Sequence, residues 1–344
     1  MTKLILLIVG LFTSVSLLAG QWETRPDMPS GRQEIYADVS NGTIYIPGGV
    51  GPDGLSTSDA FEAYDVHAGQ WNKLAPLPAP RHHITPSVVG TKVYAIGGFT
   101  GPFPDWNIKA DTFIYDIAND TWNRGKSLPQ PQAEHVSAVV DGKIHIIGGR
   151  VHGESKKQHF DAFEDTGLHS IYDTATGEWK LGAAAPTARN SAAAAVIDGL
   201  IYVVGGRHNV VQDDGSQLQQ NLGTLEVYDP GTNSWSTRSP MPEALGGNAA
   251  AALNGKLYVF GGEQWAPQQK VFASAWVYDP QNDSWTPETD MPTARHGLAA
   301  GASAGRLIVI GGGNKVGGGG AGGFTEVLTP DFVIEPVIHR EYQE

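Results

Sequence analysis

The chain has 344 residues, with 44 glycines, 22 prolines, nine tryptophans and no cysteine, and its formal net charge is −13. The absence of cysteine excludes disulfides, thiolate metal ligands and thiol nucleophiles. The acidic balance disfavours contact with a phosphate backbone, so we predict no nucleic-acid partner.

The N-terminus has the composition of a secretory signal peptide. Lys3 precedes an apolar run from Leu4 to Leu18, and Ala19-Gly20 offers small residues for cleavage. The run is about 15 residues long, whereas a membrane span needs about 20. We therefore predict a signal peptide at 1–20 and a periplasmic or secreted protein with no membrane span after cleavage. An uncleaved anchor is the alternative.

The rest of the chain is built from internal repeats. A Gly-Gly pair follows an apolar run six times, and a tryptophan stands 26 residues before each pair. The pairs begin at Gly48, Gly97, Gly148, Gly205, Gly261 and Gly311, and the tryptophans are Trp22, Trp71, Trp122, Trp179, Trp235 and Trp285. A Tyr-Asp pair also precedes five of these tryptophans by seven residues, and Leu328-Thr329 takes its place in the last repeat. Length variation is confined to the stretch between Gly-Gly and Tyr-Asp, which marks a loop on one face of a repeat structure.

Each repeat predicts four antiparallel strands, which we label a to d from the inside outwards. Dipeptides such as Asn41-Gly42 and Asp141-Gly142 suit the two-residue hairpin between strands a and b. Six such sheets predict an all-β fold, a six-bladed β-propeller over residues 21–330 with a tail at 331–344. Trp22 has no preceding strands of its own and the last repeat has no tryptophan, so the N-terminal strand is expected to close the last blade.

The Gly-Gly, Tyr-Asp and Trp pattern resembles the Kelch repeat family over almost the whole predicted mature chain. This resemblance implies a Kelch propeller, a scaffold that carries many functions. The chain is similar in general architecture to the N-acetylneuraminate epimerase group of exported Kelch propellers, which implies a sugar mutarotase as one activity. The copper site of galactose oxidase, another Kelch propeller, is excluded in its known form because it needs a cysteine.

The b–c and d–a loops share one face around the central channel, and we expect any ligand there. Ten residues after the tryptophans, four repeats carry an arginine that could grip a carboxylate or could instead hold blades together. These candidate ligand-binding residues are Arg32, Arg81, Arg189 and Arg295.

The positions that follow these arginines differ between repeats, which favours function over scaffold. His83, Glu134 and His135 are candidates for proton transfer, since mutarotation needs an acid and a base. Candidate ligand-binding residues at the same face are His82, Asn190 and His296, together with the loop aromatics Trp106 and Trp265. Ordinary loop polarity and loop packing are the alternatives.

The long loop of the third repeat contains Asp161, Asp165 and His169 at spacings of four. This set resembles the E-x3-D-x3-H iron pattern of plant specifier proteins, with aspartate in the first place. Imidazole with carboxylates suits a divalent transition metal, so we expect either a metal site or a charged surface loop.

Together these observations predict an exported, monomeric propeller that binds a small polar molecule, a glycan or a protein partner at the loop face. A sugar mutarotase and a metal-dependent lyase are the enzymatic alternatives. Apart from that divalent metal, no cofactor is expected.

Overall fold

The computed structural model describes residues 20–154, 159–211 and 217–330. These residues form six four-stranded antiparallel sheets, each in the strand order a-b-c-d. The predicted signal peptide, apart from Gly20, and the predicted tail lie outside the described residues. Within the described part of the chain, no helix has the length and apolarity needed to cross a membrane.

The sheets are the six blades of the propeller, numbered in chain order. Strand a spans Asp38–Ser40, Thr85–Val89, Val136–Val140, Ala193–Ile197, Ala249–Leu253 and Ala299–Ser303. Strand b spans Thr43–Pro47, Lys92–Ile96, Lys143–Ile147, Leu200–Val204, Lys256–Phe260 and Arg306–Ile310. Strand c spans Phe61–Asp65, Thr112–Asp116, His169–Asp173, Leu225–Asp229, Ala275–Asp279 and Thr325–Thr329. Strand d spans Gln70–Lys73, Thr121–Arg124, Glu178–Leu181, Ser234–Arg238, Ser284–Glu288 and, for blade 6, Gln21–Thr24.

Shorter elements project from the b–c loops. Two-stranded ribbons pair Phe99–Thr100 with Asn107–Ile108, Arg150–His152 with Phe163–Asp165, Arg207–Val211 with Gln217–Asn221, and Glu263–Gln264 with Lys270–Val271. A 3₁₀ turn at Phe160–Ala162 precedes the second strand of the blade 3 ribbon.

The ring closes as the sequence predicts. Strand a of each blade contacts strand a of the next, and blade 6 contacts blade 1. The N-terminal strand pairs antiparallel with strand c of blade 6, with Trp22 opposite Leu328. The six-bladed propeller and its N-terminal closure are therefore confirmed.

The repeated residues explain how the blades pack. Every repeat tryptophan donates its indole N–H to a backbone carbonyl of the preceding blade at 2.8–3.0 Å; the acceptors are Thr289, Pro26, Ala75, Lys126, Ala183 and Ser239. The Gly-Gly pairs give the close approach on the inner side, since a Cβ on Gly48 would lie 2.2 Å from the Arg81 carbonyl oxygen. Aromatic rings thus fill the wide outer wedge while glycine allows the narrow inner one.

Candidate functional site

A ring of left-handed residues surrounds the loop-face end of the central channel. They stand twelve residues after each tryptophan, just before strand a, with φ between 49° and 67°. The six are Glu34, His83, Glu134, Ser191, Gly247 and Gly297. Backbone hydrogen bonds run from blade to blade along this ring, for example from the Gly297 N–H to the Gly247 carbonyl at 2.9 Å.

The ring is lopsided in size and charge. Blades 1 to 3 contribute Glu34, His83 and Glu134, whereas the other three members are small. A Cβ on Gly297 would lie 2.9 Å from the carboxyl carbon of Glu34, so glycine there lets the Glu34 side chain lie beside blade 6. Gly297 therefore accommodates the acidic side chain of blade 1, and Gly247 in the same way leaves room for Arg207, whose Nη2 would lie 2.8 Å from a Cβ there.

The charged members join two further residues in a chain that we call the acid–base arc, consisting of Glu134, His83, Glu34, His296 and Glu263. His83 Nε2 lies 2.9 Å from Glu34 and 3.3 Å from Glu134. His296 Nε2 lies 3.5 Å from both Glu34 and Glu263. The arc thus alternates carboxylate and imidazole across five blades, and its side chains are largely buried.

Two guanidinium groups flank the ends of the arc. Arg150 Nε lies 2.9 Å from Glu134, and Arg207 Nη2 lies 2.8 Å from Glu263. Arg150 is fully buried, and its guanidinium carbon lies 4.5 Å from the centre of the Phe160 ring. Among the described residues, neither Nη1 nor Nη2 of Arg150 has a hydrogen-bond partner. These two nitrogens are the donors that a carboxylate would bind in a bidentate manner.

The arc changes the pKa values of its members. Burial alone would raise the pKa of Glu34, but the charges of His83 and His296 and their hydrogen bonds hold it well below its usual range. Burial lowers the pKa of His296, but hydrogen bonding to Glu34 and the charge of Glu263 raise it above its usual value. The geometry therefore favours an ionised Glu34 beside a protonated His296.

An aromatic wall covers the blade 2 side of the arc. His82 Nδ1 lies 2.7 Å from His83 Nδ1, and the His82 ring is 4.7 Å from the Trp106 ring, centre to centre. Burial, followed by the charge of His83, lowers the pKa of His82 well below its usual value, so this imidazole stays neutral. The structure therefore brings His82, His83 and Trp106 into contact, with His82 as a neutral support for His83.

The blade 5 side is covered by Trp265 and the glycine-rich b–c loop of blade 6. Glu263 accepts hydrogen bonds from Trp265 Nε1 at 3.1 Å and from the Gly317 backbone N–H at 2.7 Å. A Cβ on Gly317 would lie 2.8 Å from the Trp265 ring, so the loop packs directly on it. The loop therefore helps to cover the arc on this side. Trp265 itself remains 41% exposed.

Tyr36 stands two residues before strand a of blade 1 and lines the inner part of the channel. Burial and the negative charges of Glu134 and Glu34 raise the pKa of Tyr36 well above its usual value. Its hydroxyl therefore remains a proton donor facing the acidic side of the arc.

The predicted arginine ring has a different role. Arg32, Arg189 and Arg295 are buried and pair with glutamates of strand c in their own blades, namely Glu62, Glu226 and Glu326. Arg189 also donates to the carbonyl of Gly205, the first glycine of its Gly-Gly pair, at 3.1 Å. Arg81 pairs with Asp111, and the same position in blade 3 is Gln132, which bonds the Gly148 carbonyl. The structure commits these side chains to the blades and leaves them outside the arc.

His135 and Asn190 also lie away from the arc's carboxylates. The His135 ring is fully buried between blades 2 and 3, with Nδ1 3.4 Å from the Thr85 hydroxyl. Burial lowers its pKa to about 3, so it is neutral and poorly suited to accept a proton. Asn190 donates to Asp165 at 2.7 Å, which anchors the blade 3 ribbon. His135 occupies the register that packs against the preceding blade's Gly-Gly pair, which explains why it leaves the channel.

Two of the candidate metal ligands, Asp165 and His169, lie on different elements and use their polar atoms in protein contacts. His169 begins strand c of blade 3 and uses both ring nitrogens, one at 2.9 Å from His145 and one at 3.1 Å from the Ala183 carbonyl. Asp165 lies in the b–c ribbon and accepts bonds from Asn190 and from the Asn209 N–H. The backbone of Asp161 lies in the 3₁₀ turn. The spacing of four therefore spans three separate elements, and no metal-binding group of three or more His, Asp or Glu is found in the described ranges.

Sequence reasoning missed Glu34, Tyr36, Arg150, Arg207 and Glu263. Glu34 shares its register with His83 and Glu134, so alignment of the repeats on tryptophan could have found it. Arg150, Arg207 and Glu263 immediately follow Gly-Gly, at a position that carries Val50, Phe99 and Gly313 in the other repeats. The sequence signal that could have found them is that the residue type directly after Gly-Gly differs from one repeat to the next.

The fold and the loop-face arc define a Kelch-type propeller with a polar centre, and comparison with known proteins agrees on the class. The model of the KLHDC2/KLHL20/DRC7 Kelch-repeats domain matches residues 9–181 and 128–313. The chain therefore belongs to this family of Kelch-repeat domains, and the predicted family is confirmed. Kelch domains typically serve as protein-interaction scaffolds.

Relatives of known sequence match parts of the chain. Human Kelch repeat and BTB domain-containing protein 12 is 31% identical over 165 residues, covering 46% of this chain and 26% of that protein. Kelch-like protein terF of Aspergillus terreus is 32% identical over 134 residues, covering 38% of this chain and 27% of that protein. The matched segments thus span only about a quarter of these relatives.

A solved structure shares the fold over most of both chains. The entity described as "Structure of YjhT" superposes with a TM-score of 0.72 and 19% identity, covering 88% of this chain and 96% of that one. At this identity the likeness concerns the fold.

Proposed function

We propose that the chain is an exported, monomeric Kelch propeller that binds a small acidic carbohydrate or a similar polar ligand at its loop face. The observation that carries the proposal is the buried guanidinium of Arg150, whose Nη1 and Nη2 have no hydrogen-bond partner among the described residues. A buried, unsatisfied donor pair costs free energy, and a bidentate carboxylate offsets that cost.

The surroundings of Arg150 suit a sugar. Trp106 and Phe160 contact each other with ring centres 5.2 Å apart, and Phe160 covers the guanidinium. Aromatic rings offer flat apolar surfaces to sugar rings, while the arc offers acceptors and donors to hydroxyl groups. Because Phe160 covers Arg150, entry of a ligand requires that this ring move aside.

Export is supported by the composition of residues 1–20, and a periplasmic or secreted location follows from it. It is tested by fractionation and by N-terminal sequencing of the mature protein. A mature chain that begins shortly before Trp22 is expected, and a chain retained with its first residues in the cytoplasm would contradict export.

The binding proposal is tested by ligand-observed NMR with a panel of neutral and acidic monosaccharides. Acidic sugars are expected to bind the wild type and to lose about tenfold or more in affinity in Arg150→Gln. Arg124→Gln is a matched control, because that arginine is 65% exposed on an outer strand. Binding of neutral and acidic sugars with equal affinity, or an unaffected Arg150→Gln variant, would contradict the proposal.

Sugar mutarotation is the second candidate, and His83 is the observation that favours it. Its Nε2 lies within reach of two carboxylates, so one imidazole can exchange a proton with either side. Proton NMR of anomeric exchange on a sialic acid is the assay, and Glu134→Gln is expected to slow exchange. Binding without acceleration of exchange would leave a binding protein and remove the enzyme.

Binding of a protein partner is the third candidate function of the same face. Leu55, Phe103 and Trp265 are 53%, 53% and 41% exposed on the b–c loops of blades 1, 2 and 5. Affinity capture with Phe103→Ser as a control would show a partner that needs this rim.

A further inference from the structure

The b–c loop of blade 6 has less internal support than the other loops around the arc. The b–c loops of blades 2 to 5 each contain a two-stranded ribbon, whereas the blade 6 loop, which is described throughout, pairs only Gly313 with Ala321. Four of the eight residues from 314 to 321 are glycines, and none of these eight described residues is buried. Because ordering glycine costs more conformational entropy than ordering other residues, this segment has a low free energy of local opening.

Both ends of the segment are anchored. Gly313 exchanges two backbone hydrogen bonds with His296, at 2.9 and 3.0 Å, and the Gly313 carbonyl lies 3.1 Å from His296 Nδ1. At the other end, the Gly322 carbonyl accepts the Arg32 N–H of blade 1 at 3.2 Å. The segment 314–321 therefore has two fixed ends about which it can turn.

Between these ends, one residue ties the segment to the neighbouring blades. The Gly317 N–H donates to Glu263 Oε2 of blade 5 at 2.7 Å, and the Gly317 carbonyl accepts a hydrogen bond from Gln33 Nε2 of blade 1 at 3.3 Å. No other hydrogen bond joins residues 314–321 to another blade in the described part of the chain. We call these two bonds the Gly317 latch.

Packing next to the latch depends on glycine. Gly317 has a φ of 74°, and a Cβ there would lie 2.8 Å from the Trp265 ring. Gly318 lies against the b–c loop of blade 1, where a Cβ would be 2.8 Å from the Gly54 carbonyl oxygen. Because glycine has no side chain to bury, these contacts remove little apolar area from water. The closed position of the loop is therefore held mainly by the Gly317 latch.

The closed loop separates one end of the arc from solvent. Glu263 is 2% exposed and His296 is fully buried, although both belong to the polar centre of the loop face. The loop contacts Glu263 through Gly317 and His296 through Gly313. A ligand can therefore reach this end of the arc only if the loop moves.

We propose that residues 314–321 form a lid over the end of the arc that contains Glu263 and His296, and that the lid is held shut by the Gly317 latch and opens to admit the ligand of the loop face. Opening breaks two hydrogen bonds and exposes little apolar surface, so the open state is reached by local motion without unfolding of blade 6. The role of the lid in ligand entry rests on the binding function proposed above, whereas its opening does not.

Amide hydrogen exchange of the full, ligand-free chain, followed by NMR, tests the opening. The amide of residue 317 is expected to exchange faster than the amides of strand b of blade 6 by about tenfold or more. Gly317→Ala places a side chain at a left-handed φ, which disfavours the closed conformation, and is expected to speed this exchange by about tenfold. Gly319→Ala is the matched control, because a Cβ there lies 3.6 Å from the Lys315 side chain, an ordinary contact. Exchange at residue 317 as slow as in strand b, or equal exchange in the two variants, would overturn the lid.

A variant outside the loop tests the latch separately. Gln33→Met removes the hydrogen bond to the Gly317 carbonyl, keeps a side chain of similar length and leaves the loop sequence unchanged. Exchange at residue 317 is expected to become faster by about threefold or more. Exchange equal to that of the wild type would contradict a latch of two bonds.

Stopped-flow measurement of tryptophan fluorescence with N-acetylneuraminate tests the role in ligand entry. Because only the open state admits the ligand, the association rate constant follows the open population, and Gly317→Ala is expected to raise it by about tenfold. Gly319→Ala is expected to keep the wild-type value. Equal association rate constants in the wild type and Gly317→Ala would overturn the role in entry. No binding to any of the three proteins, together with faster exchange in Gly317→Ala, would contradict the proposed function and support the lid.

Discussion

His83 Nε2 lies 2.9 Å from the carboxylate of Glu34, although the two residues belong to neighbouring blades. The same nitrogen is 3.3 Å from Glu134 on the third blade, so one imidazole links three blades at the channel mouth. The titratable side chains in this linkage belong to residues that stand just before strand a of their blades. Function at this face therefore depends on contacts between repeats rather than within one.

The first prediction concerns this pair. His83→Gln keeps a polar group near Glu34 but removes the positive charge that His83 supplies. Because that charge helps to hold the pKa of Glu34 down, the pKa of Glu34 is expected to rise in the variant. Carbon-13 NMR of the glutamate carboxyls across a pH titration measures it, and an unchanged Glu34 titration would contradict the arc.

The second prediction concerns the arginines of the blades. Arg189→Gln leaves Glu226 buried without its charged partner, which is expected to cost about 3–5 kcal/mol of unfolding free energy. Arg124→Gln, at an exposed pair with Asp111, is expected to cost about 1 kcal/mol or less. Urea denaturation measures both. Similar losses in the two variants would argue against a buried structural pair.

The third prediction concerns closure of the ring. Trp22 donates its indole N–H to the Thr289 carbonyl and contacts Phe260 edge-on at 5.9 Å. Because Trp22 is partly exposed, Trp22→Ala is expected to lower the unfolding free energy by about 2–3 kcal/mol, below the value for a core tryptophan. Trp265→Ala, on the loop face, is the matched control and is expected to cost less than about 1 kcal/mol. Equal effects would mean that the N-terminal strand contributes little.

The fourth prediction is a pH dependence of stability. Burial lowers the pKa of His145 to about 3 and that of His169 to about 4, against 6.5 for an ordinary histidine. The unfolded chain therefore takes up protons first as pH falls, and the stability from these two neutral rings is complete above about pH 6.5 and declines below it. The decline between pH 6.5 and 5 is expected to be on the order of 2 kcal/mol.

His145→Gln is expected to reduce that acid-dependent loss, measured by urea denaturation across the pH range. His67→Gln, at an exposed position, controls for removal of an imidazole. A pH profile identical in wild type and His145→Gln would show that the pair does not titrate in this way.

The fifth prediction concerns metal. Both ring nitrogens of His169 and both carboxylate oxygens of Asp165 already have protein partners. Elemental analysis of protein purified without a His-tag is therefore expected to show less than stoichiometric metal, and Asp165→Ala is expected to leave that content unchanged. Stoichiometric metal in the wild type that is lost in Asp165→Ala would contradict this prediction and support a metal site.

The sequence predicts the ring well because its signals are local and repeated. The distance from Trp to Gly-Gly fixes strand lengths, and the unpaired Trp22 specifies closure. The site is harder to predict because its geometry arises between repeats. Arg150 and Glu263 lie more than a hundred residues apart, and only the radial packing of blades brings their ribbons to the same arc. His169 shows the converse, since its strand register directs it into a wedge between blades while Asp165 stays in a loop ribbon.

The central claim is that the arc with Arg150 forms the binding site of the loop face. Saturation-transfer NMR with N-acetylneuraminate, comparing wild type with Arg150→Gln of matched thermal stability, tests it most directly. The account predicts a saturable signal in the wild type and an affinity for the sugar that is lower by about tenfold or more in the variant. An acidic sugar that binds both proteins equally, or neither, would contradict it.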